Sequence, residues 1–198
     1  MNAREEILGR VRAALAGVEP VTDLPQAPRL AVEEHPALVD RFCARVADYR
    51  AVVERCQRPE LAERVAAAVA GGRVVVPAGL DLDVPGAVAG DALTATDLDT
   101  VATVVTTATV AVAETGTIVL DHGPGQGRRA LSLVPDRHVC IVREDQVVAD
   151  VPDALASLDP TRPLTWISGP SATSDIELDR VEGVHGPRNL HVIVVSDV

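Results

Sequence analysis

The sequence contains no lysine, and all 18 of its basic residues are arginine. Enzymes that form a Schiff base through a lysine, hold pyridoxal phosphate on one, or bind nucleotide phosphates with a P-loop lysine are therefore excluded. Aromatic residues are almost as scarce, with one Phe, one Tyr and one Trp. The hydrophobic content of 47% consequently consists mainly of Ala, Val and Leu, and it suffices for the core of one domain of 198 residues.

Cysteine is also sparse: Cys43, Cys56 and Cys140 lie far apart and form no Cys-x-x-Cys pair. This spacing argues against a disulfide framework and against an iron–sulfur cluster held within the chain, and it predicts buried thiols. No apolar run approaches the roughly 18 residues of a membrane-spanning helix, and the first residues are charged rather than apolar. The expected compartment is the cytoplasm.

Positive charge is in deficit, since the net charge is −11 and the isoelectric point is near 4.8. Nucleic-acid binding depends on clustered cations, and Arg128–Arg129 is the only adjacent basic pair beyond the first residues. No nucleic-acid partner is therefore expected, and the acidity favours solubility. The histidines do not have the spacing of a zinc motif, so no metal site is predicted.

The first residues predict a short amphipathic helix, because Ile7, Val11 and Leu15 recur at helical spacing and Gly17 follows. Residues 18–36 contain four prolines and no periodicity, which indicates a linker or an extended arm. We accordingly divide the chain into an N-terminal helix with its arm, residues 1–36, and a domain of residues 37–198. The helix can dock on its own domain, on a second subunit or on a partner.

The remaining pattern alternates helices with short apolar runs. Helices are predicted at residues 37–53, 59–70 and 151–158, and strands at residues 73–77, 116–121, 138–143, 164–168 and 190–195. Residues 101–113 predict strand pieces and a short helical turn. This order predicts an α/β fold, a three-layer αβα sandwich with a largely parallel sheet, preceded by the N-terminal helices.

The first candidate site is the segment Ala-Glu-Thr-Gly-Thr at residues 113–117. Gly116 permits a tight turn with positive φ, which would place the carboxylate of Glu114 and the hydroxyl of Thr115 at a sheet edge. Ligands of α/β domains bind at such edges. A hairpin turn with a solvated glutamate fits the same residues, so both interpretations stay open.

The second candidate is the glycine-rich segment 121–129. Gly123, Gly125 and Gly127 would allow backbone amides to approach an anion, and Arg128 and Arg129 would contact a carboxylate or phosphate. The glycine spacing is not that of a dinucleotide-binding fingerprint. A mobile surface loop is the alternative.

The third candidate is the segment Ser-Gly-Pro-Ser-Ala-Thr-Ser-Asp-Ile-Glu at residues 168–177, which follows a predicted strand. Hydroxyls and exposed amides suit a phosphate or carboxylate, while carboxylates suit a general base, a metal or a ligand hydroxyl. We favour a functional role for this cluster over an ordinary helix cap. The residues are Ser168, Gly169, Ser171 and Thr173 for binding, and Asp175 and Glu177 for catalysis.

The fourth candidate is His185, which stands between glycines in the segment 183–187. A histidine in a turn before the last strand suits proton transfer, and it suits a structural turn equally well.

Taken together, the segments 113–120, 125–129, 168–177 and 183–187 resemble, in content and order, the motifs of the LUD-domain family. The resemblance extends from about residue 61 to the last residue. It implies a three-layer fold similar to the sugar-phosphate isomerase and CoA-transferase superfamily. It also implies a role in oxidising L-lactate to pyruvate together with iron–sulfur partner proteins. At position 172 this chain has Ala where many members carry arginine, which weakens direct anion binding by that loop.

Two functional hypotheses follow. In the first, the chain is a non-redox subunit without a cofactor of its own, and it assists iron–sulfur subunits of a lactate-utilisation system. In the second, it is an independent enzyme that acts on a small carboxylate, a sugar phosphate or a CoA ester. The Glu114–Gly116 segment has a three-residue similarity to the nucleophile motif of CoA transferases, which would support the second hypothesis.

Overall fold

A computed structural model describes residues 2–19, 34–69, 71–173, 181–182 and 186–196. Its helices are α1 (Ala3–Ala14), α2 (His35–Asp48), α3 (Leu61–Ala68), α4 (Ala95–Asp99), α5 (Arg129–Leu133) and α6 (Val151–Ser157). Its strands are β1 (Val52–Gln57), β2 (Val74–Val76), β3 (Val88–Ala89), β4 (Thr103–Thr107), β5 (Val110–Val112), β6 (Thr117–Leu120), β7 (Arg137–Arg143), β8 (Val147–Val148), β9 (Thr165–Ile167), β10 (Ala172–Thr173), β11 (Val181–Glu182) and β12 (Asn189–Ser196).

A six-stranded parallel sheet organises the fold, in the order β1-β12-β7-β4-β2-β3. The neighbouring inner strands β7 and β12 carry buried apolar side chains on both faces, as expected for strands covered by other layers on each side. On one face Val139 and Ile193 pack with α3, and on the other Cys140 and Val192 pack with α2. The predicted α/β fold with a largely parallel sheet is confirmed.

A second sheet of four strands, β8-β5-β6-β9, packs beside the parallel one. Strand β6 pairs antiparallel with both β5 and β9, so the expectation that residues 116–121 and 164–168 join one parallel sheet was wrong. Both faces of β6 are covered, because Ile118 packs towards α2 while Val119 packs with Ala154 of α6. Continuous burial gives a short antiparallel strand the apolar run that is typical of parallel strands.

The predicted helix 37–53 ends earlier than expected. Helix α2 stops at Asp48, Arg50 takes a left-handed backbone conformation with φ of 65°, and β1 begins at Val52. A non-glycine residue with positive φ breaks the helical path. Val52 and Val53 then extend the parallel sheet by pairing with β12. This contact is between residues far apart in the sequence, so it could not be predicted from the helical spacing of the apolar residues.

The predicted N-terminal helix is confirmed as α1, which Asn2 caps by accepting a hydrogen bond from the backbone N–H of Glu5. No residue of α1 is buried, and the side chains of Ile7 and Leu15 are each 60% exposed. Docking of this helix on its own domain is therefore absent from the described structure. Residues 20–33 of the predicted arm lie outside the described part, and the division of the chain at residue 36 stays a prediction. Among the helices described, none has both the length and the apolar content needed to cross a membrane.

The turn between β5 and β6 generates a first prediction, because Gly116 has a φ of 61° and touches α2. A Cβ atom at Gly116 would lie 2.8 Å from the backbone carbonyl carbon of Arg45. Gly86 has a φ of 77° but nothing within 4 Å of the equivalent position. We expect Gly116→Ala to lower the free energy of unfolding by roughly 3 kcal/mol, and Gly86→Ala by only about 1 kcal/mol. Urea denaturation of both variants measures the difference, and equal losses would contradict a tight contact between this turn and α2.

Candidate functional site

A pocket of about 280 Å³ lies between α5, the amino-terminal ends of β7 and β12, and strand β9 with the loop that follows it. We call it the α5–β9 pocket. Its described lining consists of Arg129, Ser132 and Leu133 from α5, His138 from β7, Leu190 from β12, Thr165, Trp166 and Ile167 from β9, and Ser168, Gly169, Pro170, Ser171 and Pro187 from the adjoining loops. Four binding residues predicted from two distant segments, namely Arg129, Ser168, Gly169 and Ser171, thus meet in one cavity.

Helix α5 supplies the cationic side of the pocket. Leu131 anchors this short helix, because its side chain is fully buried against Val75 and Val104 of the parallel sheet. Arg129, two residues earlier and therefore on the other side of α5, is exposed, and its guanidinium makes no ion pair or hydrogen bond with any described residue. An unpaired guanidinium at the rim of a cavity is a ready partner for a carboxylate or a phosphate.

The loop after β9 supplies the hydroxyl side of the pocket. Antiparallel pairing of β9 with β6 brings the Oγ of Ser168 to 2.7 Å from the Oγ1 of Thr117, which in turn lies 2.7 Å from the Oγ1 of Thr115. The first and third candidate segments are therefore joined by a chain of three hydroxyls. The N–H of Ser171 donates to the carbonyl of Pro187 over 2.8 Å and so fixes the far end of the loop.

The glycines of these two segments serve helix packing. Gly169 has a φ of 86°, and a Cβ atom there would lie 2.5 Å from the Cβ of Tyr49. Gly116 meets the same helix region at Arg45. Only glycine allows the turn and the loop to approach α2 this closely.

His138 forms the inner wall of the pocket and was missed by the sequence analysis. Its side chain is 1% exposed, and its Nε2 atom lies 2.7 Å from the Oγ1 of Thr106 on the neighbouring strand β4. Burial lowers the pKa of His138 to about 4, so the imidazole is neutral at pH 7. The only feature of the sequence that could have indicated His138 is that it is the one polar ring in the otherwise apolar run 138–142. A histidine in such a run looks the same as an ordinary core residue.

The glycine-rich segment is neither a mobile loop nor an open set of amides. The buried Gln126 accepts hydrogen bonds from the N–H groups of Asp121 and His122, and its own amide donates to Thr109. The Nδ1 of His122 lies 2.8 Å from the carbonyl of Gly127, which can only accept, so Nδ1 carries the proton. Side-chain hydrogen bonds therefore hold this segment in one shape.

The amides of the segment are directed to protein acceptors instead of a ligand. The N–H of Gly125 donates to the carbonyl of Ala78 over 2.9 Å, and its carbonyl accepts from the N–H of Thr107 over 2.8 Å. These bonds place the segment between the carboxyl ends of β2 and β4, where the strand order reverses. Ligands of open α/β sheets bind in this crevice. Here Gly125 lies between the two strand ends, and Arg128, which is not part of the described lining of the α5–β9 pocket, donates to the carbonyl of Leu93.

The predicted catalytic residues are distributed differently. Glu114 is exposed in the β5–β6 turn and is not among the described residues that line the pocket. Asp175, Glu177 and His185 lie outside the described residues, as does the side chain of Thr173. Their roles stay predictions.

The three cysteines do not converge. Cys56 packs on the α3 face of the parallel sheet and Cys140 on the α2 face, while Cys43 is half-buried on α2. Burial raises the pKa of Cys140 to about 12, which makes it an inert thiol at neutral pH. Across the described ranges, no group of three or more His, Cys, Asp or Glu residues is arranged to hold a metal ion.

Comparison with known proteins gives a consistent result. A model of the LUD domain matches residues 79–195. A protein named lactate utilization protein C from Deinococcus radiodurans is 47% identical over 205 aligned residues, which cover 98% of this chain and 96% of that protein. A protein of the same name from Geobacillus sp. strain WCH70 is 35% identical over 102 residues, 47% of this chain and 42% of that protein.

A solved structure is similar as well. The crystal structure of a DUF162 family protein from Deinococcus radiodurans superimposes with a TM-score of 0.71 at 40% sequence identity, over 83% of this chain and 99% of the other.

The burial of His138 generates a prediction about pH. Its pKa is near 6.5 in the unfolded chain and about 4 in the fold, so between these values the unfolded chain binds a proton that the folded protein does not. The contribution of His138 to the free energy of unfolding is constant above about pH 7 and falls by roughly 3 kcal/mol as the pH drops to 4. Urea denaturation at pH 7, 5.5 and 4 should show this loss in the wild type and a smaller one in His138→Asn. Parallel curves for the two proteins would contradict a buried neutral imidazole.

Proposed function

The chain belongs to the LUD-domain family, and from this membership we propose that it is a component of an L-lactate utilisation system that binds a small carboxylate in the α5–β9 pocket. Similarity to a protein named for lactate utilization over 98% of the chain supports the pathway. The pocket supports the ligand class.

The guanidinium of Arg129, which has no partner among the described residues, is the observation that carries the proposal. It stands at a cavity whose polar lining includes the hydroxyls of Ser168 and Ser171, which can donate to a carboxylate oxygen. The volume of about 280 Å³ lies at the lower limit of roughly 300–1,000 Å³ for drug-sized ligands. A short-chain acid fits this space, whereas a CoA ester needs a larger one.

We propose further that the redox chemistry belongs to partner proteins. Oxidation of L-lactate to pyruvate releases a pair of electrons, which require an acceptor. The three thiols of this chain are free and lie in separate places, which suits a reducing compartment such as the cytoplasm and a role without a cluster of its own. Iron–sulfur subunits would then receive the electrons while this chain holds the acid.

Substitution of the neighbouring arginines tests the site. We expect Arg129→Gln to weaken the binding of L-lactate by roughly 10- to 100-fold, because a charge-assisted hydrogen bond is lost. Arg128→Gln removes the same charge one residue away, from a side chain that donates to Leu93, and should change the affinity less than about twofold. Isothermal titration calorimetry measures both. Equal effects of the two substitutions would contradict a specific contact at Arg129.

Growth tests the pathway independently. Deletion of the gene for this chain should abolish growth on L-lactate as the sole carbon source and leave growth on pyruvate unchanged, because only the oxidation step is lost. Re-expression of the wild type should restore growth, and re-expression of Arg129→Gln should restore it poorly. Normal growth of the deletion strain on L-lactate would remove the lactate assignment, whatever the pocket binds.

A further inference from the structure

A second cavity, of about 380 Å³, lies on the α3 face of the parallel sheet, at the amino-terminal ends of β1, β12 and β7. We call it the arginine cavity. Its walls include apolar side chains from β1 and from the end of α3. Its described charged and titratable lining consists of Arg50, Arg137, Arg188, Glu54 and His191.

The cavity exists because α3 is shorter than the strands beneath it. The eight residues of α3 span roughly 12 Å, whereas the eight residues of β12 span roughly 26 Å. With a period of two, the side chains of β12 on the α3 face are Asn189, His191, Ile193 and Val195. The last two pack in the core beneath α3, and the first two line the cavity. The end of the sheet that α3 leaves uncovered is therefore polar and concave.

Three guanidiniums reach this space from three separate places in the chain. The Nη1 of Arg137 donates to the carbonyl of Ala68, at the end of α3, over 3.1 Å. The Nε of Arg188 donates to Asp136. Arg50 stands at the left-handed position between α2 and β1. A guanidinium has five N–H donors in a rigid plane, so a contact with the protein through one or two of them leaves others for a ligand.

One carboxylate, that of Glu54, also belongs to the described lining, and it is engaged on its own wall. Its Oε1 lies 2.6 Å from the Nε2 of His191, and its Oε2 lies 3.6 Å from the Nη1 of Arg64. Three arginines thus face one glutamate, although the whole chain has 18 basic and 29 acidic residues. A local excess of cations in so acidic a protein indicates a place for an anion.

We propose that the arginine cavity binds the phosphate group of a small phosphate monoester. A phosphate group has three terminal oxygens in tetrahedral directions, so it can accept from guanidiniums on several sides. A carboxylate has two oxygens in one plane, and a single guanidinium can satisfy both. Val52, Ala67 and Ala68 provide apolar contacts for the carbon part of the ester. The volume of about 380 Å³ lies within the usual range for small-molecule sites, roughly 300–1,000 Å³.

This site is separate from the α5–β9 pocket, although neighbouring residues line the two. Arg137 lines the arginine cavity and His138 lines the α5–β9 pocket, while Leu190 borders both. Consecutive side chains of a strand point to opposite faces of the sheet, so β7 and β12 lie between the two cavities. A substitution at one site can therefore serve as the control for the other.

The test is isothermal titration calorimetry of the full-length protein with glycerol phosphate, at an ionic strength of about 0.15 M. The wild type should bind this ester. Arg50→Gln, Arg137→Gln and Arg188→Gln should each weaken binding roughly 10-fold or more, because each removes a charge-assisted hydrogen bond. Arg129→Gln, in the α5–β9 pocket, should change the affinity less than about twofold. Circular dichroism checks that each variant is folded, and Arg50→Gln and Arg188→Gln leave the bond from Arg137 to α3 intact.

Two further probes distinguish a phosphate group from other anions. Citrate and a hexaglutamate peptide carry several carboxylates, and both should bind more weakly than glycerol phosphate. Tighter binding of either would overturn the assignment to a phosphate group. Absence of glycerol phosphate binding to the wild type would overturn the site itself. The same conclusion would follow if Arg129→Gln weakened binding as much as the three cavity variants, or if none of those variants weakened it.

Discussion

The parallel pairing of β7 with β4 on one side and β12 on the other is the constraint on which the rest of the structure depends. Alternation along β7 sends Val139 and Ile141 to the α3 face and His138 and Cys140 to the opposite face. A slip of one residue would exchange these sets and remove the imidazole from the pocket. The same register thus determines both hydrophobic cores and the inner wall of the candidate site.

The glycine-rich segment explains why the candidate site does not lie at the carboxyl ends of the parallel strands, where open α/β sheets usually bind ligands. The crevice between the carboxyl ends of β2 and β4 is occupied by Gly125, which bonds to both flanking strands. Gln126 and His122 hold the segment there with side-chain hydrogen bonds. The second sheet provides another position for a site, because β9 pairs with β6 and leads into the loop at Ser168, which faces α5 across the α5–β9 pocket. The fold therefore has two places where a ligand can bind, and in this chain Gly125 lies between the strand ends at the first of them.

Local signals in the sequence were sufficient for most elements and insufficient for the site. The β-branched runs at β2, β7 and β12 identified strands correctly, whereas Pro59 lies in a short 3-10 turn and α3 begins two residues later, at Leu61. The helical spacing of Tyr49 and Val53 was misleading, since pairing with β12 decides the end of α2. Two adjacent arginines look alike in sequence, and only the orientation of α5 separates Arg129 from Arg128. His138 needed its hydrogen-bond partner on another strand before it could be recognised.

An acid approaching the exposed Arg129 crosses the electric field of a protein whose net charge is −11. Long-range repulsion slows this encounter, while attraction to the guanidinium acts only within a few ångströms. Added salt screens the long-range repulsion by the net charge more than the short-range attraction to the guanidinium. Carboxylate capture by this pocket should therefore become faster as ionic strength rises to physiological values, which is opposite to the behaviour of proteins that steer anions with a positive surface.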